Sequence, residues 1–451
     1  MRARTPLIVG PTLAAALLLP GCLDIPKDVS TNPAVGAEKR DADSFTHDIN
    51  ENSARMLREG RDIFRHDTFG SEAFWGDKVK LHQAIAGAAH GGVGPGVTAH
   101  QALQLGLKVD AGRLPAILVN AIRGGHVSLE KVETTLELLR ADAVVGVKAH
   151  FDGGRMTSIG FTCALCHSTV DDSLAKGIGR RLDGWPNRDL DVGAIVASAP
   201  DLSPFTALLG ADDATVRKVL RSWGPGMYDA ELDKDGKAAR PDGRSGATAI
   251  PAAFGLAGVN LHTYNGWGSV PYWNAYVAVT QMHGQGTFVD RRLSNASQYP
   301  VSAKNRLFDV RSPDDKVTAK LASLHYYQLS IPAPKPKPGS FDAAAAQRGK
   351  AVFEGRGKCA SCHVPPLFSE PGWSMHTAAE IGIDDFQASR SPDRMYRTTP
   401  LAGLFVREKG GFYHDGRFNG YRAVVDHYDQ HFRLGLAESE KRDLIEYLRS
   451  L

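Results

Sequence analysis

The chain is short of cysteine, of net charge and of long apolar runs, and each shortage narrows what it can be. Its 451 residues include only five cysteines, and the formal net charge is only +3. So small a charge lacks the concentrated basic patch that nucleic-acid binding needs, and no nucleic acid is expected as a partner. No segment beyond the N-terminus is apolar enough to cross a membrane. Glutamate is scarce in the middle of the chain, where Glu231 is the only one between His167 and Ile331. What is present is ordinary for a globular protein, with 42% hydrophobic and 23% charged residues. The length exceeds one ordinary core and suits two domains.

The N-terminus reads as a secretion signal. Arg2 and Arg4 form a basic start, and Leu7 to Leu19 an apolar stretch broken by Pro11 and too short to span a bilayer. Leu19-Pro20-Gly21-Cys22 resembles a lipoprotein signal, in which the cysteine is acylated and becomes the mature N-terminus. Residues 1–22 are therefore expected to be the signal. Residues 23–45 are then a polar tether, and the protein is periplasmic, lipid-anchored to the outer membrane at Cys22. Simple cleavage near Cys22, leaving a soluble periplasmic protein, is the alternative.

The other four cysteines form two Cys-x-x-Cys-His units, Cys163/Cys166/His167 and Cys359/Cys362/His363. Such a unit supplies two thiols for thioether bonds to haem vinyl groups and an imidazole for the proximal iron position. Zinc would want four ligands in a tetrahedron, and a redox dithiol does not call for the adjoining histidine. The second copy and the export signal turn the reading to two covalently attached haems c. No cysteine is left for a disulfide.

Ile331-Pro-Ala-Pro-Lys-Pro-Lys-Pro-Gly339 reads as a semi-rigid, extended linker, since proline fixes φ. It divides the chain into 46–330 and 340–451, with one motif in each. A weak repeat supports the division: Gly60-Arg-Asp-Ile-Phe64 resembles Gly349-Lys-Ala-Val-Phe353, each on a predicted helix. The second motif follows Phe353 within six residues, whereas 99 residues separate Phe64 from Cys163, so the first domain carries a large insertion. Within it a helix is predicted after Ser128 as N-cap, with Leu129, Val132, Leu136 and Leu139 on one face. Leu444, Tyr447, Leu448 and Leu451 mark a C-terminal helix that should cross the Gly349–Phe353 helix. The expected fold is mostly α with long loops, as two cytochrome c-like domains, the first enlarged.

The order Met395-Tyr-Arg-Thr-Thr-Pro-Leu401, Gly411-Phe-Tyr-His-Asp-Gly416 and Ala423-Val-Val-Asp-His-Tyr428 resembles the C-terminal domain of bacterial di-haem cytochrome c peroxidases. That superfamily includes the MauG-type enzymes and the rubber oxygenases. In the family the distal ligand of this haem follows the His-x-Gly motif, which by resemblance points to His427, with Tyr428 beside it and Met395 as the rival. His414 is expected to order its loop or sit near a propionate.

The first domain departs from the pattern, because no histidine occurs between His167 and His262. Either that haem is open, or a distant residue reaches it. His283 or Met282 is the first choice, and His82, His90, His100 or His150 of the insertion the next. The Pro251–His283 stretch loosely echoes Pro400–His427, with His262 in the part of His414. No distal acid is evident. Asp233-Lys-Asp-Gly236 resembles part of a calcium loop, which keeps calcium among the cofactors to test. Trp185, Trp223 and Trp267 could lie between haems. The resemblance implies peroxidase-like redox chemistry at the first haem, with electrons from a small redox protein or cytochrome entering at the second. A non-catalytic electron carrier is the alternative. The motifs stand 196 residues apart, which leaves a haem oxygenating enzyme third.

Overall fold

A computed structural model describes residues 45–451, so the signal, Cys22 and the tether lie outside the described residues. Ser53–Leu451 form one compact unit, and the first turns of α1 belong to the preceding one. Helix prevails. The β structure among the described residues consists of five two-stranded ladders and a few isolated bridges. No helix of the described residues is long and apolar enough to cross a membrane.

Helix α1 (Phe45–His66) buries Gly60 and Phe64. Gly60 lies so close to the backbone of Ser323 and to Tyr327 that a Cβ there would clash, which is why this position needs glycine. Phe64, fully buried, meets the edge of Tyr327 at 5.6 Å. The insertion follows. Its helix α2 (Val132–Arg140) buries Leu136, Leu138 and Leu139 as the apolar periodicity requires, but it starts later than expected. Ser128 does not cap it: the Ser128 carbonyl instead accepts a bond from the Thr134 hydroxyl at 2.8 Å. The hairpin β1 (Val147–Asp152) and β2 (Arg155–Phe161) then leads the chain into the first Cys-x-x-Cys-His unit.

Helix α3 (Val270–Tyr276), continued by a wider turn over Val277–Gln281, precedes α4 (Leu321–Ser330), the partner of α1. Residues 331–337 are without helix or strand and end in a turn at Pro338 and Gly339, and the Ile331 carbonyl accepts from the Gly255 amide at 2.9 Å. Helix α5 (Ala343–Glu354) is capped by Asp342, whose carboxylate accepts from Ala344 and Ala345. Helices α6 (Tyr421–Phe432) and α7 (Glu438–Ser450) close the chain. As the apolar spacing led us to expect, α7 crosses α5 where Gly349 admits the Asp443 backbone. Phe353 meets Tyr447 at 5.2 Å, so the contact of Phe64 with Tyr327 is built a second time.

Candidate haem sites

Hairpin strand β2 ends at Phe161, and Thr162 ties the turn beyond it: its hydroxyl donates to the Arg65 carbonyl at 3.1 Å and accepts from the Ala164 amide at 3.3 Å. A single helical turn, Ala164–His167, then sets Cys163, Cys166 and His167 along one wall of a cavity of about 260 Å³. His167 Nδ1 lies 3.1 Å from the Pro251 carbonyl oxygen. A carbonyl only accepts, so Nδ1 carries the hydrogen and Nε2 keeps its lone pair for a metal. Burial pushes the imidazole down to about 4, so it is neutral, as an iron ligand must be. Burial also pushes both thiols up to about 12, the opposite of the activated thiolate of a redox dithiol. The walls are largely apolar, among them Trp75, Phe161, Val192, Leu220 and Leu256. The indole Nε1 atoms of Trp223 and Trp273 are buried there with no protein partner. Thiol pair, neutral imidazole and a deep apolar cavity together fit a haem c.

Glu231 is an ionisable group of this site that no sequence pattern assigns to it. It lines the same cavity, with Oε1 accepting from Asn265 Nδ2 at 3.1 Å and from Gln387 Nε2 at 2.8 Å. Its Oε2 is buried without a partner. Burial raises its pKa to about 7, against the opposing pull of the Arg390 cation. Arg390, fully buried, holds both oxygens of Asp235 at 2.8 and 3.0 Å and also pairs with Asp229. The carboxylates of the calcium-like run are thus already matched, Asp235 by Arg390 and Asp233 by Lys234 at 2.7 Å. Only the scarcity of glutamate was visible in the sequence. Its partner Gln387 comes from 156 residues away.

Met282 and His283 line this cavity as well. The His283 ring makes no hydrogen bond among the described residues and stacks on Phe74 at 3.6 Å, with Trp75 and Phe205 around it. His262 also lines the wall, its Nε2 held by the Val259 carbonyl at 2.9 Å. His82, His90, His100 and His150 are not among the lining residues. His90 and His150 pair with Glu133 and Glu72, and His100 with Glu130 and Gln104. Trp223 lines the cavity, Trp267 stacks on Trp273 at 5.2 Å, and Trp185 meets Phe405 at 6.0 Å.

The second unit repeats the imidazole arrangement. Cys359–Ser361 form a tight helical turn, and His363 Nδ1 donates to the Phe368 carbonyl at 3.0 Å, again leaving Nε2 free. Burial holds this imidazole below its usual range. His427 lies on α6 with Nε2 donating to the Ile381 carbonyl at 2.9 Å and its ring against Phe418 at 4.7 Å. Tyr428, next on the helix, is half-buried with its ring 6.2 Å from that of Tyr413, and burial raises its pKa. Met395 is 36% exposed. His414 is buried and stacked on Tyr396 at 5.2 Å, its Nε2 without a partner.

A local repeat links the two sites. Backbone bridges join His262 to Gly268 and Phe412 to Phe418. Inside the two bends, Thr263 and Tyr413 take φ of 63° and 69°, and Gly266 and Gly416 take 58° and 68°. The geometry therefore pairs His414 with Tyr264, not with His262 as the sequence echo had it. Carried on into the helix that follows each bend, His427 and Tyr428 fall on the Tyr276–Ala278 stretch. Of those residues Val277 and Ala278 face the cavity, while the Tyr276 hydroxyl donates to the Ala230 carbonyl at 2.5 Å. At that position the first site offers no side chain able to bind a metal.

No protein-family model matches the chain. The methylamine utilization protein MauG of Methylorubrum extorquens is 29% identical over 153 residues, which cover 30% of this chain and 43% of MauG. The chain thus spans less than half the length of this curated relative. Among solved structures, Kuenenia stuttgartiensis hydrazine synthase has a TM-score of 0.28 at 17% identity, covering 48% of this chain and 76% of that one. A MauG-like protein associated with microbial copper homeostasis has a TM-score of 0.31 at 17% identity, covering 48% and 77%. The sequence match to MauG supports what the C-terminal motifs led us to expect: the chain is similar to the MauG-like di-haem cytochromes.

Proposed function

We propose that the chain is an exported di-haem c-type redox protein with one open and one closed iron. Cys163, Cys166 and His167 would hold the first haem, which would supply an iron for a small oxidant of the hydroperoxide class. Cys359, Cys362 and His363 would hold the second, which would supply an electron-transfer centre for a small redox protein or cytochrome donor. The observation that carries this reading is the Glu231 carboxylate, with an unpartnered oxygen, in the cavity that the first motif walls.

Bound haem supplies the redox-active iron. The protein's own residues supply the rest. His167 and His363, oriented by the Pro251 and Phe368 carbonyls, would hold the irons through their Nε2 atoms. Glu231 takes a proton from one oxygen of the hydroperoxide and returns it to the other as the O–O bond breaks. Two electrons and two protons then balance ROOH to ROH and water. Asn265 and Gln387 fix the carboxylate by its other oxygen, and the apolar walls keep bulk water from the site. On the second site we favour closure by the His427/Tyr428 turn, with Met395 disfavoured by its exposure. The N-terminal sequence supports a periplasmic place with a lipid anchor at Cys22. Hydroperoxide turnover with a reduced c-type cytochrome as donor tests the reading. Its absence, with both haems low-spin, would refute it.

One observation favours the electron-carrier reading. His283 lines the same cavity without a hydrogen bond, and ligation by it would close the first iron. His283→Ala separates the two readings: a carrier loses a low-spin signal, whereas an open site keeps its spectrum.

A further inference from the structure

Among the described residues the buried arginines are matched by carboxylates except Arg188, and the half-buried Arg397 and Arg407 beside it are unmatched as well. Arg390 holds Asp229 and Asp235, Arg240 pairs with Asp415 at 3.1 Å, and Arg181 with Asp110 at 3.2 Å. Arg188, Arg397 and Arg407 make no such pair among the described residues. They gather around Tyr264. Arg188 Nη2 reaches the Tyr264 hydroxyl at 3.4 Å, while its Nε and Nη1 are buried without any partner. Arg397 spends Nε and Nη1 on the Thr263 and Leu261 carbonyls. Arg407 donates to the Pro400 carbonyl and covers the Phe254 ring at 5.5 Å. The neighbouring Asp189 is turned away, held by Lys108 at 2.7 Å and by Lys409. Burial, and then mutual repulsion, lowers the pKa of Arg397 to about 9, and burial lowers that of Arg407 to about 10. Burying an uncompensated cation costs several kcal/mol, so buried Arg188, with two half-buried unmatched cations beside it, calls for an anion.

The placement identifies the anion. Arg188 follows the first motif in the loop tied back to it by the Asn187 amide on the Cys166 carbonyl at 2.8 Å. Arg397 lines the cavity that contains His167, and its own amide donates to the Tyr264 carbonyl at 3.0 Å. Leu401 and Leu404, close to Arg407 in the chain, pack in one apolar cluster with Cys359 of the second motif. The arginines thus adjoin the surroundings of both motifs.

We propose that Arg188, Arg397 and Arg407 form a carboxylate-binding junction that receives propionate groups from both haems, Arg397 serving the first site and Arg407 the second. The proposal rests on the di-haem reading. It makes the two irons electrostatic neighbours through one shared set of cations. A cation beside a propionate favours the reduced haem, so removing it lowers the midpoint potential. The guanidinium forks suit carboxylates held in pairs.

Spectroelectrochemical titration of the full-length holoprotein tests it. Pyridine haemochrome analysis of the wild type first counts the haems. A count of none refutes the di-haem reading itself, and a count of two leaves the junction as the only question. Arg397→Gln is expected to lower one midpoint potential and Arg407→Gln the other, with Arg397→Lys recovering most of the shift. Arg188→Gln gives up only the long contact to Tyr264, so it preserves the fold and must also lower at least one potential. Unchanged potentials in Arg188→Gln at full haem content would overturn the proposal. So would wild-type potentials that follow added inorganic phosphate, because the cluster would then hold a free anion. Potentials indifferent to phosphate and lowered in the variants support haem carboxylates.

Discussion

The region of α1 and α4 and the region of α5 and α7 solve one packing problem in the same way and then diverge in chemistry. Each crosses two helices at a glycine, Gly60 or Gly349, and sets a buried phenylalanine against a tyrosine, Phe64 on Tyr327 or Phe353 on Tyr447. Each orients its motif histidine by a backbone carbonyl and adds the same left-handed bend, at Thr263–Gly266 or Tyr413–Gly416. The difference lies on the helix after the bend. The second region places His427 and Tyr428 there, and the first places Val277 and Ala278 on the cavity and adds Glu231 from a separate loop. A common scaffold thus carries one site suited to closure and one suited to a small ligand.

The largest expected effect is on cofactor content. Cys163→Ser with Cys166→Ser should halve the pyridine haemochrome yield, and so should Cys359→Ser with Cys362→Ser. The first pair should abolish hydroperoxide turnover, while the second should leave a protein that still reacts with hydroperoxide but no longer accepts electrons from the donor. Equal loss of the hydroperoxide reaction in both would erase the distinction between the sites.

Next comes the carboxylate. Glu231→Gln should slow the hydroperoxide reaction by about 10²–10⁴-fold, the usual worth of a general acid–base group. Glu231 must be ionised to take the first proton, and its pKa is raised to about 7. The wild-type rate should therefore rise with pH through about 7, and the variant should lose that inflection. Gln387 donates to the ionised carboxylate, so Gln387→Ala should raise the inflection further. A profile flat in the wild type would remove Glu231 from the chemistry.

The shared scaffold can be tested by stability. A methyl group at Gly60 or Gly349 enters the facing helix backbone, and either alanine substitution should cost about 1–3 kcal/mol in chemical denaturation. If only one does, the two crossings are not equivalent. The smallest effect is expected at Arg348, whose bonds to Asp443 at 2.7 Å stand where Glu59 accepts from the Ser323 hydroxyl at 2.9 Å in the first crossing. Arg348 is 61% exposed, so Arg348→Ala should lower stability less than either glycine substitution, and the loss should fade with salt.

The parts legible in the sequence were those written in short, contiguous patterns. The two Cys-x-x-Cys-His units, the Gly60 and Gly349 helices and the C-terminal helix all depend on spacings within a few turns. The start of α2 was misplaced because Ser128 looked like a cap, while the chain makes another turn before the helix begins. The echo between Pro251–His283 and Pro400–His427 was visible, but its register was not, since it is set by backbone dihedrals at Thr263 and Tyr413. Glu231, Gln387 and the three unmatched arginines were illegible for a common reason. Their meaning lies in partners brought from distant parts of the chain, or in partners the protein itself does not provide.

The central claim is that the two irons differ in coordination, and an EPR spectrum of the ferric holoprotein tests it most directly. One high-spin and one low-spin signal are predicted in the wild type. The low-spin signal should change in His427→Ala or Tyr428→Phe, and the high-spin signal should persist in His283→Ala. Two low-spin signals in the wild type, one of them lost with His283, would contradict the account.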